Sequence, residues 1–127
     1  MRHVLSTMLI IAGIIHLLPL PGVAGDEQLQ KLYGLSLAEP NLAILMRHRA
    51  VLFGVLGAFL VYAAFRPVMQ PVALIAGLFS VVAFLWLAWS TGGYNPLIAR
   101  VVMADLLALV CLLVAAGIWL TGAVRSR

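Results

Sequence analysis

Residues 67–99 read PVMQPVALIAGLFSVVAFLWLAWSTGGYNPLIA and contain no Asp, Glu, Lys or Arg. A helix needs roughly 20 consecutive apolar residues to cross the hydrocarbon core of a bilayer. Residues 3–25, 50–65 and 106–124 also lack these charged residues. The charge-free stretches therefore predict an integral membrane protein built from helices.

The composition of the whole chain supports this class. Of the 127 residues, 65% are hydrophobic and 9% are charged, whereas a soluble domain carries about 25% charged residues. The net charge of +4 does not indicate nucleic acid here, because the cations stand at predicted helix ends, where lipid head groups and topology explain them. We therefore expect the lipid bilayer as a partner and no nucleic acid. The single cysteine, Cys111, permits no internal disulfide.

Breaks between the apolar stretches divide the chain, a single transmembrane domain over 1–127, into helices. Pro19 and Pro21 close the first stretch, and Asn95-Pro96 suits the cap and first turn of the last helix. Within the polar stretch 22–41, acidic residues precede a cation, which favours a short helix at the membrane interface. The predicted fold is all-α, an antiparallel four-helix membrane bundle with this interfacial helix between helices one and two. The four predicted spans are 3–20, 42–65, 68–90 and 97–120.

The distribution of Lys and Arg predicts the orientation of the bundle. The first stretch could be a signal peptide, but its length and His16 favour a retained helix. Four helices place both termini on one side, and that side has four arginines in its loops and ends. On the other side, three arginines lie within or near helices and are not counted as loop residues, which leaves only Lys31. Because cytoplasmic loops carry the excess of Lys and Arg, we expect the termini to be cytoplasmic, in a bacterial inner membrane. The four arginines are Arg2, Arg66, Arg125 and Arg127, and the three discounted are Arg47, Arg49 and Arg100.

Six ionisable side chains in or beside the apolar stretches fall in the same, outer half of the predicted bundle. A charged side chain at the bilayer centre costs about 2.5–3.5 kcal/mol on insertion scales, so it is expected to face the bundle interior and to have a partner. Asp105 lies roughly 12–14 Å along its helix from Pro96, at about 1.5 Å per residue, which is too deep for it to reach the head groups. The six are His16, Arg47, His48, Arg49, Arg100 and Asp105.

Arg47 is the predicted partner of Asp105. The face of its helix continues through Ala50 and Gly54, small residues that mark close helix packing. Arg49 points to a different side and is expected to extend toward the head groups. The pair of Arg47 and Asp105 has two interpretations: an ion pair that only holds two helices in register, or part of a ligand pocket.

In the second interpretation, the six side chains line a pocket for a lipid-like, quinone or small anionic ligand. Trp86 and Tyr94 either wall this pocket or belong to an interfacial aromatic belt. We predict no metal site, since neighbouring arginines repel a cation, and no haem; a quinone or a lipid is the candidate cofactor. An oligomeric proton-coupled transporter or channel is the alternative function. A small membrane enzyme with His16 or His48 as acid and base is the third, although the residues favour a protein without catalytic activity.

Several short motifs add to these patterns. They are His16-Leu-Leu-Pro-Leu-Pro, Leu32-Tyr33-Gly34, Met46-Arg47-His48-Arg49 followed by Gly54, Gly92-Gly93-Tyr94-Asn95, and Asp105. Over most of the chain this set resembles the DoxX-like group of small four-helix bacterial membrane proteins. The resemblance implies an accessory subunit of a membrane oxidoreductase system or a quinone-linked component, with a homo-oligomer or another membrane protein as partner. Similar short chains are sometimes labelled phosphopantetheine adenylyltransferase, a soluble α/β enzyme whose strand and nucleotide loop have no counterpart in this sequence.

Overall fold

The computed structural model describes residues 1–21, 26–34 and 39–127. These residues form helices and their connections, and no strand occurs among them. The predicted all-α class is therefore confirmed for the described residues. The elements are α1 (Arg2–Leu17), α2 (Asp26–Tyr33), α3 (Pro40–Ala64), a 3-10 helix (Pro67–Met69), α4 (Gln70–Thr91) and α5 (Pro96–Arg125).

Three segments are long and apolar enough to cross a membrane: α3, the 3-10 helix continued by α4, and α5. Helix α1 is apolar but has only 16 residues. It ends at Leu17 and not at residue 20 as predicted, because Pro19 and Pro21 lack the N–H donors that would continue its hydrogen-bond ladder. Helix α5 continues five residues beyond its predicted end at 120.

Helices α1, α3, α4 and α5 form an antiparallel bundle. In it, α1 packs on α3 and α5, and α4 packs on the same two helices. Near the start of α1, Ser6 Oγ donates a hydrogen bond to Ala64 O at the end of α3, at 2.7 Å. Further along α1, Gly13 lies against Gly57 of α3. Residue numbers thus rise in α1 as they fall in α3, as the predicted topology requires.

Large apolar side chains occupy both the centre and the outside of the bundle. The centre contains Leu9, Leu60 and Leu112, which are fully buried. On the outside, Ile75, Phe79, Leu87, Val110 and Leu113 are each more than half exposed. Soluble monomers rarely expose apolar patches larger than a few hundred Å², so this exterior is typical of a surface that contacts lipid.

Helix α2 lies at the end of the bundle where α3 begins, which we call the site end. Tyr33, the last residue of α2, is 2% exposed and packs against Ala43 and Ile98. Asn95 stabilises the contact between α2 and the start of α5, because its Nδ2 donates to Tyr33 O and its Oδ1 accepts from Ile98 N. The prediction of a short helix within 22–41 is confirmed by α2, while residues 22–25 and 35–38 of that stretch lie outside the described residues.

The start of α3 carries an acidic cap that makes its stability depend on pH. Asn41 N and Leu42 N donate to the Glu39 carboxylate at 2.9 and 2.7 Å, and these bonds lower the pKa of Glu39. The contribution of Glu39 to stability is therefore complete above the usual glutamate pKa and is lost as the pH falls through the lowered value. We expect Glu39→Gln to have a lower melting temperature than the wild type at pH 7, measured from the helical circular dichroism signal on heating. The difference in melting temperature should be smaller at pH 3. An equal difference at both pH values would contradict the cap.

Candidate functional site

Arg49 is surrounded by aromatic side chains at the site end. Its Cζ lies 4.5 Å from the ring centroid of Phe53, 5.3 Å from that of Phe84 and 5.4 Å from that of Tyr33. Guanidinium groups within about 6 Å of a ring face are attracted to it. Arg49 Nη1 also donates a 2.7 Å hydrogen bond to Tyr33 Oη. Side chains from α2, α3 and α4 therefore hold this cation in one place.

Asp105 of α5 is the acidic group that faces this cation. It is 5% exposed and interacts electrostatically with Arg49, although the two side chains form no direct ion pair. Asp105 Oδ2 is buried and has no hydrogen-bond partner among the described residues. Buried polar atoms are nearly always paired, so an unpaired carboxylate oxygen here marks Asp105 as a candidate functional group.

His16 supplies a second buried polar atom of this kind. It is 1% exposed, and its Nδ1 lies 2.7 Å from Ala12 O. Because a carbonyl only accepts, Nδ1 donates this hydrogen bond, and in the neutral tautomer that carries this proton Nε2 is an acceptor. Nε2 is buried without a partner among the described residues. The imidazole stacks on Phe53, with 5.5 Å between centroids, so Phe53 connects His16 with Arg49.

A groove of about 270 Å³ opens beside Arg49, between α3 and α4. Its polar groups are His48, Arg49 and Ser80, and the rest of its lining is apolar: Leu45, Leu52, Phe53 and Leu56. Two of the groove residues, Arg49 and Phe53, are also the residues that interact with Asp105 and His16 in the interior. The groove thus combines an apolar wall with a fixed cation.

The structure brings together four of the six predicted ionisable residues: His16, Arg49 and Asp105 around the interior, and His48 at the groove. Arg100 is exposed and does not line the groove. Trp86 and Tyr94, predicted as a wall of the pocket, are 61% and 45% exposed and are also outside the groove. Trp86 instead packs against Trp89, with 5.4 Å between ring centroids.

Arg49, and not the predicted partner Arg47, is the cation whose charge acts on Asp105, while Arg47 is exposed. Ala50 and Gly54 do form a packed face, but Gly54 meets Leu20, in the segment that follows α1. The adjoining face of α3, which carries Arg49, is the one that turns toward α4 and α5. The small residues therefore mark a closely packed face of α3, as predicted, but the segment that packs there is the one after α1 and not the helix that carries Asp105.

Three aromatic residues of the site were not predicted from the sequence. Phe53 is four residues after Arg49 on one helix, so spacing could have identified it. Tyr33 belongs to a motif noted in the sequence, but its contact with Arg49 depends on how α2 packs. Nothing in the sequence identifies Phe84 as a site residue, because its contact with Arg49 depends on the register between α3 and α4.

Comparison of the chain with protein-family models, curated proteins and solved structures found no match. The resemblance to DoxX-like proteins stays a prediction. Among the described residues, no three His, Cys, Asp or Glu side chains are grouped so that they could hold a metal ion. The fold and site define a helical protein with three segments able to span a membrane and a cation enclosed by aromatic rings at one end.

Proposed function

We propose that this protein is an integral membrane bundle that binds an amphipathic ligand with acceptor oxygens, such as a quinone or a lipid, in the groove beside Arg49. The observation that carries the proposal is the fixed position of the Arg49 guanidinium at the wall of an otherwise apolar groove. A preorganised donor reduces the entropy that binding has to overcome. Arg49 can therefore bind an oxygen without rearranging.

The lining of the groove favours an amphipathic ligand over a small inorganic anion. A guanidinium has five N–H donors, and among the described residues Tyr33 is its one hydrogen-bond acceptor. His48 and Ser80 offer two more polar groups. A quinone carbonyl or a head-group oxygen would accept from these donors, while an apolar ring or chain would pack on Leu52 and Phe53.

The membrane placement follows from the exterior of the bundle. Exposed leucine, isoleucine and phenylalanine side chains surround its middle, and Arg2, Arg66, Arg125 and Arg127 lie at the end opposite the site. Cytoplasmic loops and ends carry an excess of arginine and lysine. We therefore place the termini in the cytoplasm of a bacterial inner membrane and the groove in the outer leaflet.

The interior of the bundle favours binding over conduction through a single protomer. Between the site and the opposite end, the described core consists of apolar side chains such as Leu9, Leu60, Val81 and Leu112. A proton or ion path needs polar groups through both leaflets. A bundle that binds a quinone in one leaflet would suit an accessory subunit of a membrane redox system.

The experiment is native mass spectrometry of the detergent-purified protein after addition of a short-chain quinone or of an anionic phospholipid. Hydrogen bonds to charged groups contribute about 1.5–3 kcal/mol, so we expect Arg49→Gln to weaken binding by roughly 10-fold to 100-fold. Ser80→Trp should also weaken it, by filling the groove. The probe that binds identifies the ligand class.

Arg100→Ala is the matched control for this experiment, because Arg100 is an exposed cation near the start of α5 that does not line the groove. It should leave binding unchanged. Helical circular dichroism establishes that each variant folds. Full binding by folded Arg49→Gln and Ser80→Trp variants would refute the proposed site.

A further inference from the structure

A second cavity, of about 460 Å³, lies at the end of the bundle opposite Arg49. It is formed by the start of α1, the start of α4 and the end of α5. Arg2, Gln70 and Arg125 supply its main polar groups, while Leu5, Ile118 and Trp119 supply apolar wall. None of these residues belongs to the site described above.

Gln70 is the buried polar group of this cavity. It is the first residue of α4 and is 5% exposed. Because Gln70 lines the cavity, its amide is available to a ligand there.

The charge of the cavity is positive. Arg2 comes from α1 and Arg125 from the last turn of α5, and of the described residues that line the cavity none is acidic. Arginine binds phosphate oxygens through two parallel N–H donors. Two arginines and an amide donor around one cavity suit a phosphate-bearing group.

An apolar groove adjoins the cavity and indicates what the phosphate is attached to. It is lined by Leu120, Thr121, Val124 and Arg125, and Thr121 and Arg125 line the cavity as well. Leu120 is 57% exposed and Val124 is 73% exposed. Arg125 thus lies where a polar cavity meets an apolar strip on the outside of α5.

We infer that this cavity binds the phosphate of an anionic phospholipid, whose acyl chain lies along Leu120 and Val124. The inference shares the membrane placement of the proposed function but uses none of the residues of the groove beside Arg49. Basic pockets between membrane helices on the cytoplasmic side are known binding sites for anionic head groups. The apolar strip favours a lipid over free phosphate.

The test is the retention of phosphatidylglycerol against phosphatidylcholine by the full chain in native mass spectrometry. We expect the wild type to retain phosphatidylglycerol preferentially and Arg125→Gln to lower the retained fraction at least 10-fold. Gln70→Glu, which places a carboxylate in the cavity, should also lower the retained fraction of phosphatidylglycerol. This second variant tests the inference if Arg125→Gln does not fold. Equal retention of the two lipids by the wild type would overturn the inference.

Arg127→Gln is the matched control, because it removes one positive charge at the same end from an exposed residue that lines neither the cavity nor the adjoining groove. If Arg127→Gln lost as much phosphatidylglycerol as Arg125→Gln, the inference would be overturned, because the positive surface charge of this end would then account for the retention. Binding of inorganic phosphate at least as tight as that of phosphatidylglycerol would overturn it in favour of a free-phosphate site. The groove beside Arg49 is itself proposed to bind a quinone or a lipid, so Arg125→Gln is also measured in the Arg49→Gln background. The loss of phosphatidylglycerol caused by Arg125→Gln should be the same in both backgrounds, so failure of the groove and failure of this cavity are distinguishable.

Discussion

Gly57→Ala is expected to destabilise the bundle strongly, because α1 and α3 have no room for a side chain where they cross. A Cβ at position 57 would lie 2.7 Å from Gly13 O and 2.8 Å from Leu17 Cγ. The nearer atom belongs to the backbone and cannot rotate away. Overpacking of this kind costs about 1–3 kcal/mol, so we expect a loss near the upper end of that range.

The reciprocal change supports the same crossing point. A Cβ at Gly13 would lie 2.8 Å from Gly57 O, so Gly13→Ala should destabilise the bundle to a similar extent. The measurement is unfolding in mixed micelles of increasing sodium dodecyl sulfate fraction, followed by circular dichroism. Because α1 carries His16, this displacement should also disturb the stacking of His16 on Phe53.

Gly117→Ala is the matched control in α5. A Cβ there meets no atom within 4 Å, and alanine is favoured over glycine inside a helix by roughly 0.5–1 kcal/mol. We expect this variant to be as stable as the wild type or slightly more stable. If Gly57→Ala and Gly117→Ala unfolded at the same detergent fraction, close contact between α1 and α3 would be contradicted.

The helices could be predicted from the sequence because their signal is local. Long charge-free stretches locate α3, α4 and α5, and the pairs Pro19 with Pro21 and Asn95 with Pro96 mark two of the boundaries. The short helix α2 also follows from local charge order. Such features depend on residues close together in the chain, and the bundle leaves them unchanged.

The site depends on which helix faces meet, and this information is not local. The choice between Arg47 and Arg49 turned on which neighbour the small-residue face of α3 contacts. That face meets Leu20, in the segment that follows α1, and Arg49 on the adjoining face turns toward α4 and α5. Depth along the helix nevertheless identified Asp105 as buried, because the cost of placing a charged side chain in lipid is independent of the packing partner.

Arg49→Ala is expected to lower the free energy of unfolding by about 2–4 kcal/mol. The variant loses contacts with three aromatic rings, each contributing roughly 0.5–1 kcal/mol, and a hydrogen bond to Tyr33 worth about 1 kcal/mol. It also leaves the buried Asp105 without its neighbouring cation, which is costly. Unfolding by sodium dodecyl sulfate measures the loss, and Arg100→Ala, at an exposed position, should stay within about 0.5 kcal/mol of the wild type.

A double-mutant cycle with Asp105→Asn separates the electrostatic part of this loss from the packing part. The amide that this substitution introduces carries no charge, so Arg49→Ala should be less damaging in the Asp105→Asn background, by about 1 kcal/mol. Tyr33→Phe gives the second cycle, since it removes the hydroxyl and keeps the ring. A coupling energy near zero between Arg49 and Asp105 would contradict a charged pair. It would then follow that the aromatic rings alone hold Arg49 at the groove, because a neutral Asp105 carboxyl has no charge for the guanidinium to compensate.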